Sequence, residues 1–199
     1  MLKAESSALS GSRKMYDREK LKELIRQHAL KFGEFTLASG KKASYYLDCR
    51  QVTLRAEALP TIAAGMLQLM KQNPPELVGG MVIGADPITA AIVTLAGLQD
   101  KPLRGIMVRK EPKGHGTKKF VEGPYNEGER IVIVEDVVTT GGSSLKAIEY
   151  CEAVGLKVER VLAIVDRLEG GKEAFAEKGY KLDTLFTVED FGINVDGGQ

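Results

Sequence analysis

The segment IVIVEDVVTTGGS, Ile131–Ser143, restricts the fold of this 199-residue chain more than any other. Consecutive β-branched apolar residues do not alternate between core and water, so they read as a strand buried on both faces, as in parallel sheets. The run ends in two adjacent carboxylates, Glu135 and Asp136, followed by Val137 and Val138. A loop of Thr139, Thr140, Gly141, Gly142 and Ser143 then opens a helical stretch, Ser144–Gly155. A helix N-terminus offers unpaired N–H groups and the positive end of a dipole, so such a loop is a ready phosphate cradle. Glycines let backbone approach the anion, and hydroxyls add donors. Carboxylates repel phosphate but hold sugar hydroxyls or a divalent cation. Acids beside a phosphate cradle point to a ribose phosphate. A plain strand-to-helix turn with solvated acids would share the Gly-Gly pair but has no need of the whole run.

The rest of the chain extends this unit into an architecture. Leu77–Ile83 is an apolar run, Gly84–Pro87 a break, and Ile88–Ala96 a helix. Leu103–Val108, Val158–Val165 and Asp183–Val188 read as further strands. Strands alternating with helices imply an α/β fold, a doubly wound, mainly parallel sheet flanked by helices. Ligands of such sheets sit beyond the carboxyl ends of the strands. Gly84-Ala85-Asp86, Arg109-Lys110, Glu135-Asp136 and Asp166-Arg167 all fall at such ends. The first 50 or so residues depart from the alternation. Asp17–Ala29 has helical apolar spacing, Phe35–Leu37 and Ser44–Asp48 flank a turn, and Leu59–Lys71 is a second helix with Pro60 in its first turn. Residues 15–55 are expected to form a small N-terminal hood over the ligand edge, within one domain spanning 15–199, after a polar tail at 1–14.

Bulk properties exclude several classes. A net charge of +1 and 43% hydrophobic residues describe an ordinary globular protein with no general nucleic-acid or membrane surface. No apolar run nears the roughly 18 residues of a membrane span. Residues 1–14 lack a signal-peptide core, which makes the cytoplasm the expected location. Cys49 and Cys151 lack metal or disulfide spacing and are expected as buried thiols; His28, on a helix face, is expected to be structural.

One segment is out of keeping with that neutrality. Between Val108 and Ile131 runs RKEPKGHGTKKFVEGPYNEGER, too long for an ordinary connection. From Arg104 to Lys119 it carries six Lys or Arg against one Glu, with glycines at 114 and 116. It reads either as a solvated charge run or as a mobile cationic lid, 109–123, closing over an anionic substrate.

Taken together these segments resemble a known family. The run from Ile131 to Ser143 is similar to the diphosphoribose-binding signature of type I phosphoribosyltransferases. Arg109-Lys110-Glu111-x-Lys113-x-His115-Gly116 resembles the catalytic loop of the orotate phosphoribosyltransferases in particular. Phe35–Tyr46 resembles the same family's N-terminal segment. The resemblance covers about residues 30–170.

It implies transfer of a phosphoribosyl group from 5-phosphoribosyl 1-diphosphate to orotate, with Lys113, His115 and Asp136 as catalytic residues. Arg109, Lys110, Lys113, His115, Glu135, Asp136, Val137, Val138, Thr139, Thr140, Gly141, Gly142 and Ser143 would bind the diphosphate donor. Thr139, Arg167, Tyr45 and Tyr46 would bind orotate, and Gly84, Ala85 and Asp86 would form the pyrophosphate loop. Mg²⁺ is the implied cofactor, held mainly through substrate with no direct protein ligand assigned. The implied assembly is a homodimer whose 109–123 loop serves the neighbouring subunit's site, and a separate chain would perform the following decarboxylation.

Several alternatives stay open at this level. Arg167 could pair with Glu169, Tyr46 could pack into the core, and Asp86 could cap a helix with Pro87 in its first turn. Many bacterial relatives have an acid at the position of Gly114, and some have a lysine at that of Ala38. Another base, or nucleotide sensing without catalysis, are the rival readings of the fold.

Overall fold

The computed structural model describes residues 15–36, 42–112 and 119–195. Six strands form one sheet in the order β5-β4-β3-β6-β7-β8. These are β3 (Leu77–Met81), β4 (Arg104–Val108), β5 (Val121–Glu122), β6 (Arg130–Val138), β7 (Lys157–Asp166) and β8 (Lys181–Thr187). All neighbours pair in parallel except the short edge strand β5, which runs antiparallel to β4.

The β-branched run of β6 is buried because the sheet is covered on both sides. Val132 and Val134 join a core with helices α3 (Leu59–Leu69) and α4 (Ala85–Gly97). Ile131 and Ile133 join the opposite core with α5 (Gly142–Ala153) and Phe175 of α6 (Gly171–Glu177). Each such side chain taken fully out of water contributes about 1.5–3 kcal/mol, so the alternating valines and isoleucines hold both helical layers to one strand.

The chain turns back at the centre of this sheet. From β3 it winds outward to β4, then returns to β6 on the other side of β3 and proceeds to β7 and β8. That reversal opens a crevice above the carboxyl ends of β3 and β6, the place where doubly wound sheets take ligands.

The hood consists of α1 (Arg18–His28), the antiparallel pair β1 (Leu30–Thr36) and β2 (Lys42–Leu47), and a single turn α2 (Arg50–Thr53). Asp17 caps α1 through its side chain, accepting from the Lys20 N–H at 3.0 Å. Leu21 and Ile25 of α1, Leu30 of β1, and Tyr45 and Leu47 of β2 are buried in the same core as α3. His28 sits 3.6 Å from Glu57, at the base of the hood. Both cysteines are buried free thiols. Among the described residues no helix is long and apolar enough to cross a membrane.

Three expectations need correction. The strand expected at Ile131–Glu135 continues to Val138, so the two acids lie inside β6 and inherit its alternation, pointing to opposite sides. The helix expected from Ile88 begins at Ala85, with Gly84 as its N-cap, so Asp86 is not the capping residue and Pro87 is its third position. The turn α2, strand β5 and helix α6 have no counterpart in the sequence reading.

Candidate active site

Because successive strand residues face opposite ways, Glu135 and Asp136 meet different surroundings. Glu135 turns toward α5, is 7% exposed, and accepts a hydrogen bond from the Ser144 hydroxyl at 2.9 Å. Burial, reinforced by the neighbouring Asp136 charge, pushes its carboxyl well above the usual carboxylate range. Asp136 faces the hood and accepts the Val137 N–H at 2.9 Å. Gly84, at the end of β3, passes so close that a Cβ there would lie 2.9 Å from Asp136 Oδ1 and 3.3 Å from Glu135 Oε1. The two strand ends on either side of the reversal are thus in contact at the acids.

Beyond the acids the chain curls into the cradle. Glu135 and Val137–Ser144 enclose a hollow of about 100 Å³ at the N-terminus of α5. Gly141 makes this possible: its φ of +79° is a left-handed conformation, and a Cβ would stand 2.9 Å from the Phe175 ring. The first N–H groups of α5 consequently face the hollow with no partner within the helix.

A cleft of about 300 Å³ adjoins the cradle and shares Glu135, Val137 and Ser143 with it. Its walls are Tyr46–Arg50 from the hood, Met81–Gly84 from the end of β3, Lys110, and Glu135–Val137. Tyr46 leans on Phe35, ring centroids 5.8 Å apart, and lines this cleft instead of entering the core. Tyr45 points inward, where its hydroxyl accepts from Arg167 Nε at 3.0 Å. Arg167, 11% exposed, also pairs with Glu169 at 2.7 Å. The surface-pair alternative for Arg167 is therefore realised, together with a tie to the hood.

The other candidates fall as follows. Asp86 lies in the first turn of α4 with Oδ1 buried and without a hydrogen-bond partner among the described residues, and burial raises its carboxyl above the usual range. Lys110 reaches the cleft of its own chain, and Arg109 Nε donates to the Glu111 carbonyl at 3.4 Å. The Arg109 N–H donates to the Phe120 carbonyl at 2.8 Å, joining the two ends of the basic segment. Lys113 and His115 lie outside the described residues. Asp48, Cys49, Arg50 and Ile83 line the cleft without having been singled out in the sequence. The one available signal was an Asp-x-Arg triplet directly after the Tyr-Tyr strand.

Comparison with known proteins places this geometry. A family model for the phosphoribosyl transferase domain matches residues 62–194. The orotate phosphoribosyltransferase of Rhodopirellula baltica is 59% identical over 176 residues, covering 85% of this chain and 91% of that protein. The chain belongs to the orotate phosphoribosyltransferase family. The domain match begins within α3, so it omits the hood; the match to the R. baltica orotate phosphoribosyltransferase covers a longer stretch. Among solved structures, the orotate phosphoribosyltransferase of Mycobacterium tuberculosis H37Rv in complex with Fe(III) dicitrate superposes with a TM-score of 0.80 at 36% identity, covering 88% of this chain and 99% of that one. A structure of the same orotate phosphoribosyltransferase in complex with 5-phospho-α-D-ribosyl 1-diphosphate gives 0.76 at 33% identity, with the same coverage. The fold is the type I phosphoribosyltransferase fold.

Proposed function

We infer that this chain joins orotate to 5-phosphoribosyl 1-diphosphate, giving orotidine 5′-phosphate and pyrophosphate in pyrimidine synthesis. The observation that carries this reading is the meeting of the two acids of β6 with Gly84, the N-cap of α4 just beyond β3, beside an anion cradle. That arrangement suits a ribose with a phosphate at one end and a diphosphate at the other.

The chemistry is substitution at an anomeric carbon, with the orotate ring nitrogen as nucleophile and diphosphate as leaving group. Developing positive charge on the ribose and negative charge on the departing group call for positioning and electrostatics more than a protein nucleophile. In this reading Thr140–Ser143 and the α5 N–H groups bind the 5′-phosphate, with Thr139 near the orotate. Asp136 holds the ribose hydroxyls on the cleft side. Glu135, fixed by the Ser144 hydroxyl and raised by burial, favours the neutral acid more than an exposed carboxylate does and accepts the Asp136 N–H at 3.3 Å. Backbone of Val82–Gly84 faces the diphosphate, Arg167 and Tyr46 bound the orotate, and Lys110 supplies positive charge.

Mg²⁺ is the proposed cofactor. Mg²⁺ takes oxygen ligands and keeps most of its waters, so the Asp136 carboxylate lining the cleft, together with substrate oxygens, would suit it. Such an ion neutralises diphosphate charge when bound. We further propose a homodimer in which Lys113 and His115 act in the neighbouring subunit's site. Free buried thiols at Cys49 and Cys151 fit a reducing cytoplasm.

The test is orotate consumption with 5-phosphoribosyl 1-diphosphate and Mg²⁺, alongside adenine, hypoxanthine and uracil. Mg²⁺-dependent loss of orotate alone is expected. Turnover of another base instead would overturn the assignment of Arg167, and inactivity with all four would overturn the reading itself.

A further inference from the structure

The hood wall of the cleft contains a fixed cation to which the family resemblance assigned no role. Among the described residues two cationic side chains line this cleft, Lys110 and Arg50. Arg50 opens the single turn α2 and is clamped by the preceding Asp48: Nε donates to Oδ1 at 2.8 Å and Nη2 to Oδ2 at 3.2 Å. The Arg50 backbone N–H also donates to Oδ1, at 3.1 Å. Asp48 is largely covered, its side chain 15% exposed, whereas that of Arg50 is 51% exposed. A guanidinium has five N–H donors. Two are used by Asp48, and the remainder have no protein partner among the described residues. The Asp136 carboxylate lies near enough to favour the charged guanidinium.

The wall across from Arg50 brings no charge of its own. Between Met81 and the start of α4 stand Val82, Ile83 and Gly84, with Ile83 67% exposed. This stretch can offer N–H groups but no cation. A ribose anchored over Asp136, with its 5′-phosphate in the cradle, projects its 1-diphosphate between that wall and Arg50. A planar cation already held in one orientation loses little freedom on meeting an oxyanion, which makes it an effective phosphate contact.

We propose that Arg50, oriented by Asp48, is a binding residue for the diphosphate of the ribosyl donor and for the pyrophosphate product. The proposal rests on the phosphoribosyl-transfer reading and adds to it a leaving-group contact from the hood of the same chain. Asp48 is the positioning residue.

Calorimetric titration of the full-length protein with magnesium pyrophosphate, and separately with orotidine 5′-monophosphate, tests it. Loss of one charge-assisted contact in Arg50→Gln should weaken pyrophosphate about tenfold to a hundredfold while leaving the nucleotide within about twofold. Asp48→Asn keeps the cation but loosens it, so a smaller weakening of pyrophosphate alone is expected. Unchanged pyrophosphate affinity in Arg50→Gln would overturn the proposal while leaving phosphoribosyl transfer intact. Equal weakening of both ligands, with a lowered Tm, would overturn it in favour of a purely structural pair. Failure of the wild-type protein to bind either ligand would instead sink the underlying reading, and the proposal with it.

Discussion

Arg167 donates from Nε to the Tyr45 hydroxyl at 3.0 Å, and its guanidinium carbon lies 4.8 Å from the centroid of the same ring. The contact joins the end of β7 to the hood, elements 122 residues apart in sequence. Glu169 holds the far side of the same guanidinium at 2.7 Å. Arg167 is therefore aimed by three groups before any substrate arrives. Tyr45→Phe keeps the ring but removes the hydroxyl. A stability loss of about 0.5–1.5 kcal/mol is expected, or roughly 1–6 °C in Tm for a domain of this size. In steady-state assays KM for orotate should rise while KM for 5-phosphoribosyl 1-diphosphate holds. Parallel movement of both constants would detach Arg167 from orotate.

The raised carboxyl of Glu135 makes stability depend on pH in a definite sense. Its folded-state value, about 8, stands above the usual 4.5, so the folded protein binds more protons than the unfolded chain between those limits. Stability then falls as pH rises through that window and levels off above it. Asp86 and Asp166, also raised by burial, act in the same direction but from lower pH. Asp48, held low by its hydrogen bonds to Arg50, loses its contribution only in acid below 3.8. The informative quantity is accordingly the difference between wild type and Glu135→Gln. Thermal unfolding of the ligand-free proteins at a series of pH values should show the two curves diverging progressively from about pH 5 to 8. Parallel curves would mean that Glu135 is ionised in the folded state.

Much of this arrangement is legible in the residues, for identifiable reasons. An unbroken β-branched run such as Ile131–Val134 signals a strand covered on both faces, and the Thr-Gly-Ser loop signals a helix start over an anion. What escapes is whatever depends on strand phase and on distant packing. Glu135 and Asp136 look equivalent in sequence, yet one residue of phase puts the first against Ser144 and the second against the hood. Asp86 satisfies every local sign of an N-cap, but α4 starts two residues earlier, with Gly84 as the cap beside the acids. Arg50 stays hidden because its meaning lies in what it faces, the end of β3, some 30 residues further along the chain. Strand β5 is too short, at two residues, to carry a period.

Gly141 offers a direct test of the cradle. Alanine there would adopt a left-handed conformation costing about 1–2 kcal/mol, before any contact with Phe175. The Cβ would also press on that ring at 2.9 Å, so relief requires a shift of the loop or of α6. Gly141→Ala should lower Tm by several degrees, about 2–4 °C for each kcal/mol lost. Affinity for 5-phosphoribosyl 1-diphosphate should fall more than affinity for orotate, since the displaced N–H groups face the 5′-phosphate. Gly128, whose φ is +85° in an open turn with nothing within 4 Å of a Cβ, is the control for backbone strain alone. If Gly128→Ala and Gly141→Ala changed donor affinity equally, the cradle would lose its assigned role.

The basic segment can be assigned to one subunit or the other by mixing defects. Lys113→Ala should cut turnover by about 10²–10³-fold if its cation stabilises the departing diphosphate, leaving fold and assembly intact. Asp136→Asn should impair the site through the ribose contact. In a mixed dimer a loop acting across the interface places both lesions in one site and leaves the other intact. Random reassociation makes half of the dimers mixed, so about a quarter of wild-type turnover should return. A loop acting on its own subunit would leave every site carrying one lesion, and no activity would return. With the loop serving the neighbouring subunit as proposed, recovery is the expected result.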